Sequence, residues 1–314
     1  MKILFIGNSR LGDAILSTGV LNLFNKKENN ITVVCSALSK EIYSNFTSVQ
    51  TIIIVKKKKN SRHWIEVYRK LERQTWDLII DLRNTLISRI LRKKKIYRYL
   101  RNNTTNHLIR ELSEVVNSNQ ILSPKIFTKQ ADKENARFFI NNIRERENIL
   151  AVAPITNWKR KNWPLANYSQ LISKLLKNKK FKISHVFILG SEEEFYLCEK
   201  LKQDISFKGI YNLAGKKNIT TIYEILKYCE IFIGNDSGLT HLAAATGNKT
   251  LGLFGPSKEN RYKPWGKNSF HIRTLETYDE LVNNANYDRF ETSSLMTGLS
   301  VKKVYEKCQK ILFQ

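Results

Sequence analysis

Two doubly wound α/β domains, each built on a mostly parallel sheet, are implied by three features of this chain. Short apolar or β-branched segments alternate with helix-length stretches from the first residue onward, the pattern of βαβ units joined by right-handed crossovers. The length of 314 residues exceeds what one hydrophobic core usually supports, so two domains of roughly 150 residues each are expected. The alternation lapses once, in a polar segment at residues 118–132 that contains Pro124, and then resumes. A charged helix at 133–147 follows, which places the expected boundary between an N-terminal domain of residues 1–148 and a C-terminal domain of residues 149–314.

In the first half, residues 2–6, 31–35, 51–55, 77–81 and 95–99 read as strands. The first is a buried strand rather than a secretory signal, because Asn8, Ser9, Arg10 and Asp13 cut its apolar run short. Behind it, Ala14, Ile15, Leu16, Val20, Leu21, Leu23 and Phe24 recur at helical spacing and predict a helix with one apolar face. The second half repeats the pattern with strands at 149–153, 185–189, 209–213, 230–234 and 249–254. Residues 301–313 carry Val301, Val304, Tyr305, Cys308, Ile311 and Leu312 on one helical face behind Ser300 as a cap. This last helix is expected to pack back toward the N-terminal domain.

Composition narrows the function classes. No apolar stretch reaches the roughly 18 to 20 residues needed to span a bilayer. The four cysteines (Cys35, Cys198, Cys229, Cys308) are scattered singly, which argues for reduced core residues and against disulfides or a C-x-x-C metal site. The five histidines include no pair at metal-ligand spacing. Neither a metal nor another cofactor is expected. Lys and Arg number 53 against 28 Asp and Glu, a formal charge of +25, which favours acidic partners. Residues 56–101 alone carry 16 basic and 4 acidic side chains, although the abundance of Asn, Ile and Lys throughout is also what a coding bias produces.

Four turns at the carboxyl ends of expected strands carry the chemistry. In Gly7-Asn8-Ser9-Arg10-Leu11-Gly12-Asp13 the carboxylate either caps the following helix or acts as a general base, since ligands of parallel sheets bind outside the strand carboxyl ends. The glycine spacing is not the dinucleotide fingerprint. The segment at 153–164 places Lys159, Arg160 and Lys161 between Trp158 and Trp163, either as a solvated run or as a diphosphate site. At 231–245, Asp236, Ser237 and Gly238 lead into a small-residue helix whose amino end suits an anion. His241 in that helix either faces ligand or is structural. The turn Phe254-Gly255-Pro256-Ser257 ends the next strand, and turns at neighbouring strand ends converge on one rim.

Together, Gly12-Asp13-Ala14-Ile15-Leu16, Lys161-Asn162-Trp163-Pro164, Asn235-Asp236-Ser237-Gly238-Leu239-Thr240-His241 and Phe254-Gly255-Pro256-Ser257 resemble the ordered signature of glycosyltransferase family 9, the ADP-heptose:lipopolysaccharide heptosyltransferase family. The resemblance implies a GT-B fold of two Rossmann-like domains facing a central cleft. It implies an inverting transfer of a sugar, heptose from ADP-heptose, onto a lipopolysaccharide core or related glycolipid. It makes Asp13 the general base. It makes Thr156, Lys161, Glu194, Asp236, Ser237, Gly238 and His241 the donor-binding set, with Glu193 as an alternative to Glu194 near the nucleotide ribose. The chain departs from the family at Ile155, where glycine is usual and left-handed backbone is easier to adopt. No D-x-D motif occurs, so fixed cations and N–H dipoles are expected to carry the leaving group without a divalent ion.

The basic stretch then reads as a docking face. Lys56, Lys57, Lys58, Lys59 and Arg62 are expected to meet an anionic glycolipid acceptor and the anionic inner-membrane surface, making the protein cytoplasmic and peripherally associated. Two other classes compete. Aromatics interleaved with cations at 92–99 suit nucleic-acid stacking, but no recognised nucleic-acid motif accompanies them and no nucleic-acid partner is expected. A GT-B nucleotide-sugar epimerase or binding protein shares the fold without the transfer.

Overall fold

The computed structural model describes every residue except Lys57, 102–104, 144–146, 284–286, Arg289 and Gln314. The chain divides into two compact units, Met1–Lys129 and Gln130–Gln314.

The first unit runs β1 (Lys2–Ile6), α1 (Leu11–Leu23), β2 (Asn30–Cys35), α2 (Lys40–Ser44), β3 (Val49–Ile54), α3 (His63–Leu71), β4 (Trp76–Asp81), α4 (Ile87–Ile90), β5 (Lys93–Arg98) and α5 (Leu108–Val115). Its five strands pair in parallel in the order β3-β2-β1-β4-β5. The order reverses between β1 and β4, so the turn after β1 lies at the switch point where ligands of such sheets bind. One face of the sheet, with Leu4, Ile6, Val34 and Ile79, packs on Val67 and Leu71 of α3 and on Ile87 and Leu91.

Helix α1 differs from the expected one-sided helix. Every residue from Ala14 to Leu21 is buried, whereas Leu23 is exposed. The chain beyond α5 crosses directly over it. A β-carbon on Gly19 would stand 2.1 Å from the carbonyl oxygen of Leu122, and Thr18 Oγ1 accepts from the backbone N–H of Lys125 at 2.9 Å. A helix covered on both sides needs no polar face, which a periodicity argument cannot anticipate.

The second unit runs α6 (Gln130–Asn141), β6 (Asn148–Ala153), α7 (Leu165–Lys177), β7 (Ile183–Ile188), α8 (Phe195–Gln203), β8 (Ile210–Asn212), α9 (Ile219–Leu226), β9 (Ile231–Asn235), α10 (Gly238–Ala244), β10 (Lys249–Phe254), α11 (Glu259–Tyr262), β11 (Ser269–Arg273), α12 (Tyr278–Val282) and α13 (Val301–Leu312). Its sheet is also parallel, in the order β11-β10-β9-β6-β7-β8.

The division between the units and one edge strand differ from the sequence reading. The division falls at Lys129/Gln130 rather than 148/149, because α6 belongs to the second unit. Asp132 accepts from Asn218 Nδ2 (3.2 Å) and Thr221 Oγ1 (3.0 Å), and Phe139 packs on Phe187 and Tyr211. Helix α13 packs within the second unit. Its Val304, Cys308 and Ile311 join Leu171 and Leu175 of α7 in the second unit's core, and Asn178 Nδ2 donates to Tyr305 Oη at 3.0 Å. Strand β11 is an unexpected edge strand, half-buried along its length and interrupted by His271 and Arg273, so it shows no apolar run. The Ser300 cap is present, its hydroxyl accepting from the Lys303 N–H at 3.3 Å, and all four cysteines are free and buried.

Candidate active site

Strands β10, β9 and β6 are neighbours in the second sheet, so the turns at 254–257, 235–238 and 154–164 share one rim. Asn235, the last residue of β9, ties two of them together. It is fully buried. Its Oδ1 accepts from the Trp163 backbone N–H (3.1 Å) and the Tyr168 hydroxyl (3.2 Å), and its Nδ2 donates to the Pro154 carbonyl (2.7 Å). A strand-end amide is used here because one side chain satisfies donors and acceptors of a backbone that leaves the sheet. Trp163 is buried as well, donating from Nε1 to the Leu299 carbonyl at 2.7 Å.

Within the cation loop the three charges have different tasks. Lys159 is exposed. Arg160 is buried, donating to the Asp288 carbonyl and pairing with Glu291 at 3.3 Å. Lys161 faces the rim, its Nζ 2.5 Å from Asp236 Oδ2, with Lys161 21% exposed and Asp236 only 7%. The same ammonium lies 5.7 Å from the Trp158 ring centre. Lys161 is thus a cation already neutralised by a buried carboxylate, accessible from one side.

Thr156 is buried inside the loop. Its N–H donates to Asn162 Oδ1 at 2.8 Å, and its hydroxyl stands 2.9 Å from both that oxygen and the Trp158 carbonyl. These bonds hold the loop's shape. His241, in the first turn of α10, is buried with Nε2 at 3.9 Å from Asp236 Oδ1, beyond hydrogen-bond reach. Gly238 opens α10 after Ser237, whose backbone is extended. The Ser237 hydroxyl oxygen is closed off from solvent with no hydrogen-bond partner, and so is that of Ser257 in the neighbouring turn. Both buried hydroxyls belong to turns at the ends of neighbouring strands, β9 and β10. Ser257 belongs to the turn noted in the sequence but was not singled out there.

The rim is braced from outside by residues that sequence reading passed over. Ser294 Oγ donates to the Asn162 carbonyl (2.5 Å) and the Leu295 N–H to the Arg160 carbonyl (2.9 Å). Arg273 donates to the Gly255 carbonyl at 3.1 Å and pairs with Glu259. Glu194 follows β7 on the same end of the sheet, and its Oε2 accepts from the Ser191 N–H at 2.7 Å. The exposed Glu193 carboxyl is held below its usual range by its own backbone N–H and by Ser191. An open hollow of about 640 Å³ lined by Lys202, Lys208, Tyr211, Lys216 and Lys217 runs instead along the β8 edge, where lysines guard an unpaired strand against association.

In the first unit Asp13 is the third residue of α1, half-buried in the turn at the switch point. Arg10 holds the N-cap position, with no side-chain cap bond, so Asp13 is not the cap. Its carboxylate sits at the helix's positive end. Lys56, Lys58, Lys59 and Arg62 are exposed, and Lys57 lies outside the described residues. Lys58 pairs with Glu66, which holds that carboxyl below its usual range.

Residues 107–290 match glycosyltransferase family 9 (heptosyltransferase). The chain is 26% identical over 280 residues to lipooligosaccharide heptosyltransferase 2 of Campylobacter jejuni, covering 84% of each. The crystal structure of the glycosyl transferase family 9 protein from Veillonella parvula superposes with a TM-score of 0.82 at 18% identity, covering 99% of this chain and 97% of that one. The structure of E. coli ADP-heptose lps heptosyltransferase II superposes with a TM-score of 0.76 at 18% identity, covering 100% and 99%. The fold is GT-B. With more than half of its length matched, including the cation loop, the Asp-Ser-Gly turn and the Gly-Pro-Ser turn, the chain belongs to glycosyltransferase family 9 and is a glycosyltransferase.

Proposed function

We propose that this enzyme transfers heptose from ADP-heptose, with inversion and without a metal ion, to a hydroxyl of a lipopolysaccharide or lipooligosaccharide core acceptor. The observation that carries the reading is the rim of the second unit, where Lys161, 21% exposed, is paired with Asp236 just before the start of α10. As the glycosidic bond to the nucleotide breaks, negative charge grows on the diphosphate. Lys161 and the backbone N–H groups at the amino end of α10 are fixed donors for that charge and need little reorganisation. Thr156 serves the same phosphates by holding the loop, His241 by lining the turn behind Asp236, and Glu194 meets the ribose.

A single displacement at the anomeric carbon inverts its configuration and needs a base on the attacking hydroxyl. Asp13, at the switch point of the first sheet, takes that role within about 3 Å of the acceptor oxygen. The names of the relatives supply the heptose and the core acceptor. The acceptor is carried by the first unit, whose basic stretch from residue 56 to 101 suits an anionic glycolipid at the inner membrane surface. Among the described residues no helix is long and apolar enough to cross a membrane.

The test is transfer from ADP-heptose to a heptose-deficient core acceptor in the presence of EDTA, followed by mass spectrometry of the acceptor. Product is expected in EDTA, with Asp13→Asn slower by at least about 10²-fold at unchanged ADP affinity. Donor turnover independent of acceptor would replace transfer with epimerisation or hydrolysis, and strict metal dependence would overturn the account of the leaving group.

A further inference from the structure

Lys161 sits in a single 3₁₀ turn, Lys159–Lys161. Three residues complete one turn of such a helix, so neighbouring side chains leave it about 120° apart. Fixing the side chain of residue 160 therefore fixes the rotation of the turn and the direction in which the next side chain leaves. Arg160 is fixed in this way. It is 4% exposed, its Nη1 donates to the Asp288 carbonyl, its Nη2 pairs with Glu291 at 3.3 Å, and its guanidinium lies 4.8 Å from the Tyr287 ring centre. The backbone on either side of Lys161 is held by the stretch of chain that follows. The Arg160 carbonyl accepts from the Leu295 N–H (2.9 Å), the Asn162 carbonyl accepts from the Ser294 hydroxyl (2.5 Å), and Trp163 Nε1 donates to the Leu299 carbonyl (2.7 Å). The Lys161 ammonium pairs instead with Asp236. Burying a guanidinium is costly, and an apolar side chain of similar volume would serve packing as well. What the arginine adds is direction, because its planar fork fixes two bonds at a set angle.

We propose that Arg160 is a positioning residue for the donor's diphosphate. Its clasp on Tyr287, Asp288 and Glu291 sets the direction of Lys161, so that the affinity for a nucleoside diphosphate is governed by residues more than 120 positions beyond the cation loop. The proposal rests on the reading of Lys161 as the donor-phosphate cation.

The test is ADP titration of the full-length protein, with hydrogen exchange of residues 156–163 and thermal unfolding followed on each variant. Arg160→Met is expected to weaken ADP binding on the order of 10-fold and to speed exchange across 156–163. Glu291 is 51% exposed and stays solvated without its partner. Arg160→Lys, which keeps the charge without the fork, is expected to fall between Arg160→Met and the wild type. Tyr287→Leu reaches the clasp from its other side and leaves the cation loop unaltered, so it carries the test if Arg160→Met does not fold. It is expected to weaken ADP binding by about 2- to 5-fold. In a Lys161→Ala background neither Arg160→Met nor Tyr287→Leu is expected to lower ADP affinity further, because the side chain they orient is gone. A general loosening of the second unit would instead weaken binding by the same factor in both backgrounds. Wild-type ADP affinity in Arg160→Met and Tyr287→Leu, or equal losses with and without Lys161, overturns the proposal. Wild-type ADP affinity in Lys161→Ala alone would remove the donor reading. Faster exchange at 156–163 in Arg160→Met would then leave the clasp standing as an anchor of the loop, and unchanged exchange would remove the clasp as well.

Discussion

Lys161 was legible as a cation of the loop after β6, but its pairing with Asp236 was not, because the two are 75 positions apart in the chain. The pairing changes what a mutation does. Lys161→Ala removes a cation from the leaving group and also strands a carboxylate that is 7% exposed, so it is expected to lower stability by about 2 kcal/mol as well as weaken ADP binding. Asp236→Asn in the same chain relieves the stranded charge. The double variant is therefore expected to recover most of the melting temperature lost by Lys161→Ala while its ADP affinity remains low, a non-additivity that thermal unfolding and ADP titration read separately. A double variant that melts as low as Lys161→Ala would mean that Asp236 is not left uncompensated. Asn235 carries a comparable lesson. Its amide joins two turns across 81 positions to Pro154 and 72 to Trp163, yet in the sequence it reads only as the residue before Asp236.

Most strands were legible as elements because parallel strands buried on both faces must be short apolar runs. β11 was the exception, since an edge strand tolerates His271 and Arg273 on half-exposed positions. Helices were legible as helices but not as packing partners. α1 illustrates the difference at Gly19, which costs helix propensity for no local reason. Its reason is the Leu122 carbonyl lying where a β-carbon would be. Gly19→Ala is therefore expected to destabilise the first unit by about 1–3 kcal/mol, although alanine favours an isolated helix by about 1 kcal/mol. Denaturant unfolding of the variant measures this. A midpoint at or above that of the wild type would show that the 122–125 segment does not cross α1.

Over the whole molecule the charge of +25 is a statement about partners, and the structure differentiates the lysines that carry it. Lys56 and Lys59 are exposed, whereas Lys58 shares its charge with Glu66. Near an anionic surface each free cation contributes about 1 kcal/mol, within a Debye length of about 8 Å at physiological salt. Replacing Lys56, Lys57, Lys58 and Lys59 with Gln is expected to lower sedimentation with anionic vesicles at low salt and to raise the apparent KM for lipid acceptor, with ADP affinity unchanged. Lys58→Gln alone is expected to matter less than Lys59→Gln. Vesicle binding equal to wild type by the four-fold variant would reduce these lysines to a solvated loop.

The sequence by itself determined the α/β architecture, the parallel sheets, the order of the turns and the family, because each is written in contiguous residues: an apolar run, a helical period, a glycine after a strand. Only the tertiary structure decided that α6 belongs to the second unit and that Arg160 meets Asp288 and Glu291 while Lys161 pairs with Asp236. Those outcomes depend on which groups meet across separations such as the 131 positions between Arg160 and Glu291. A buried charge or carbonyl takes the partner that packing brings to it, and neighbouring residues along the chain do not specify that partner.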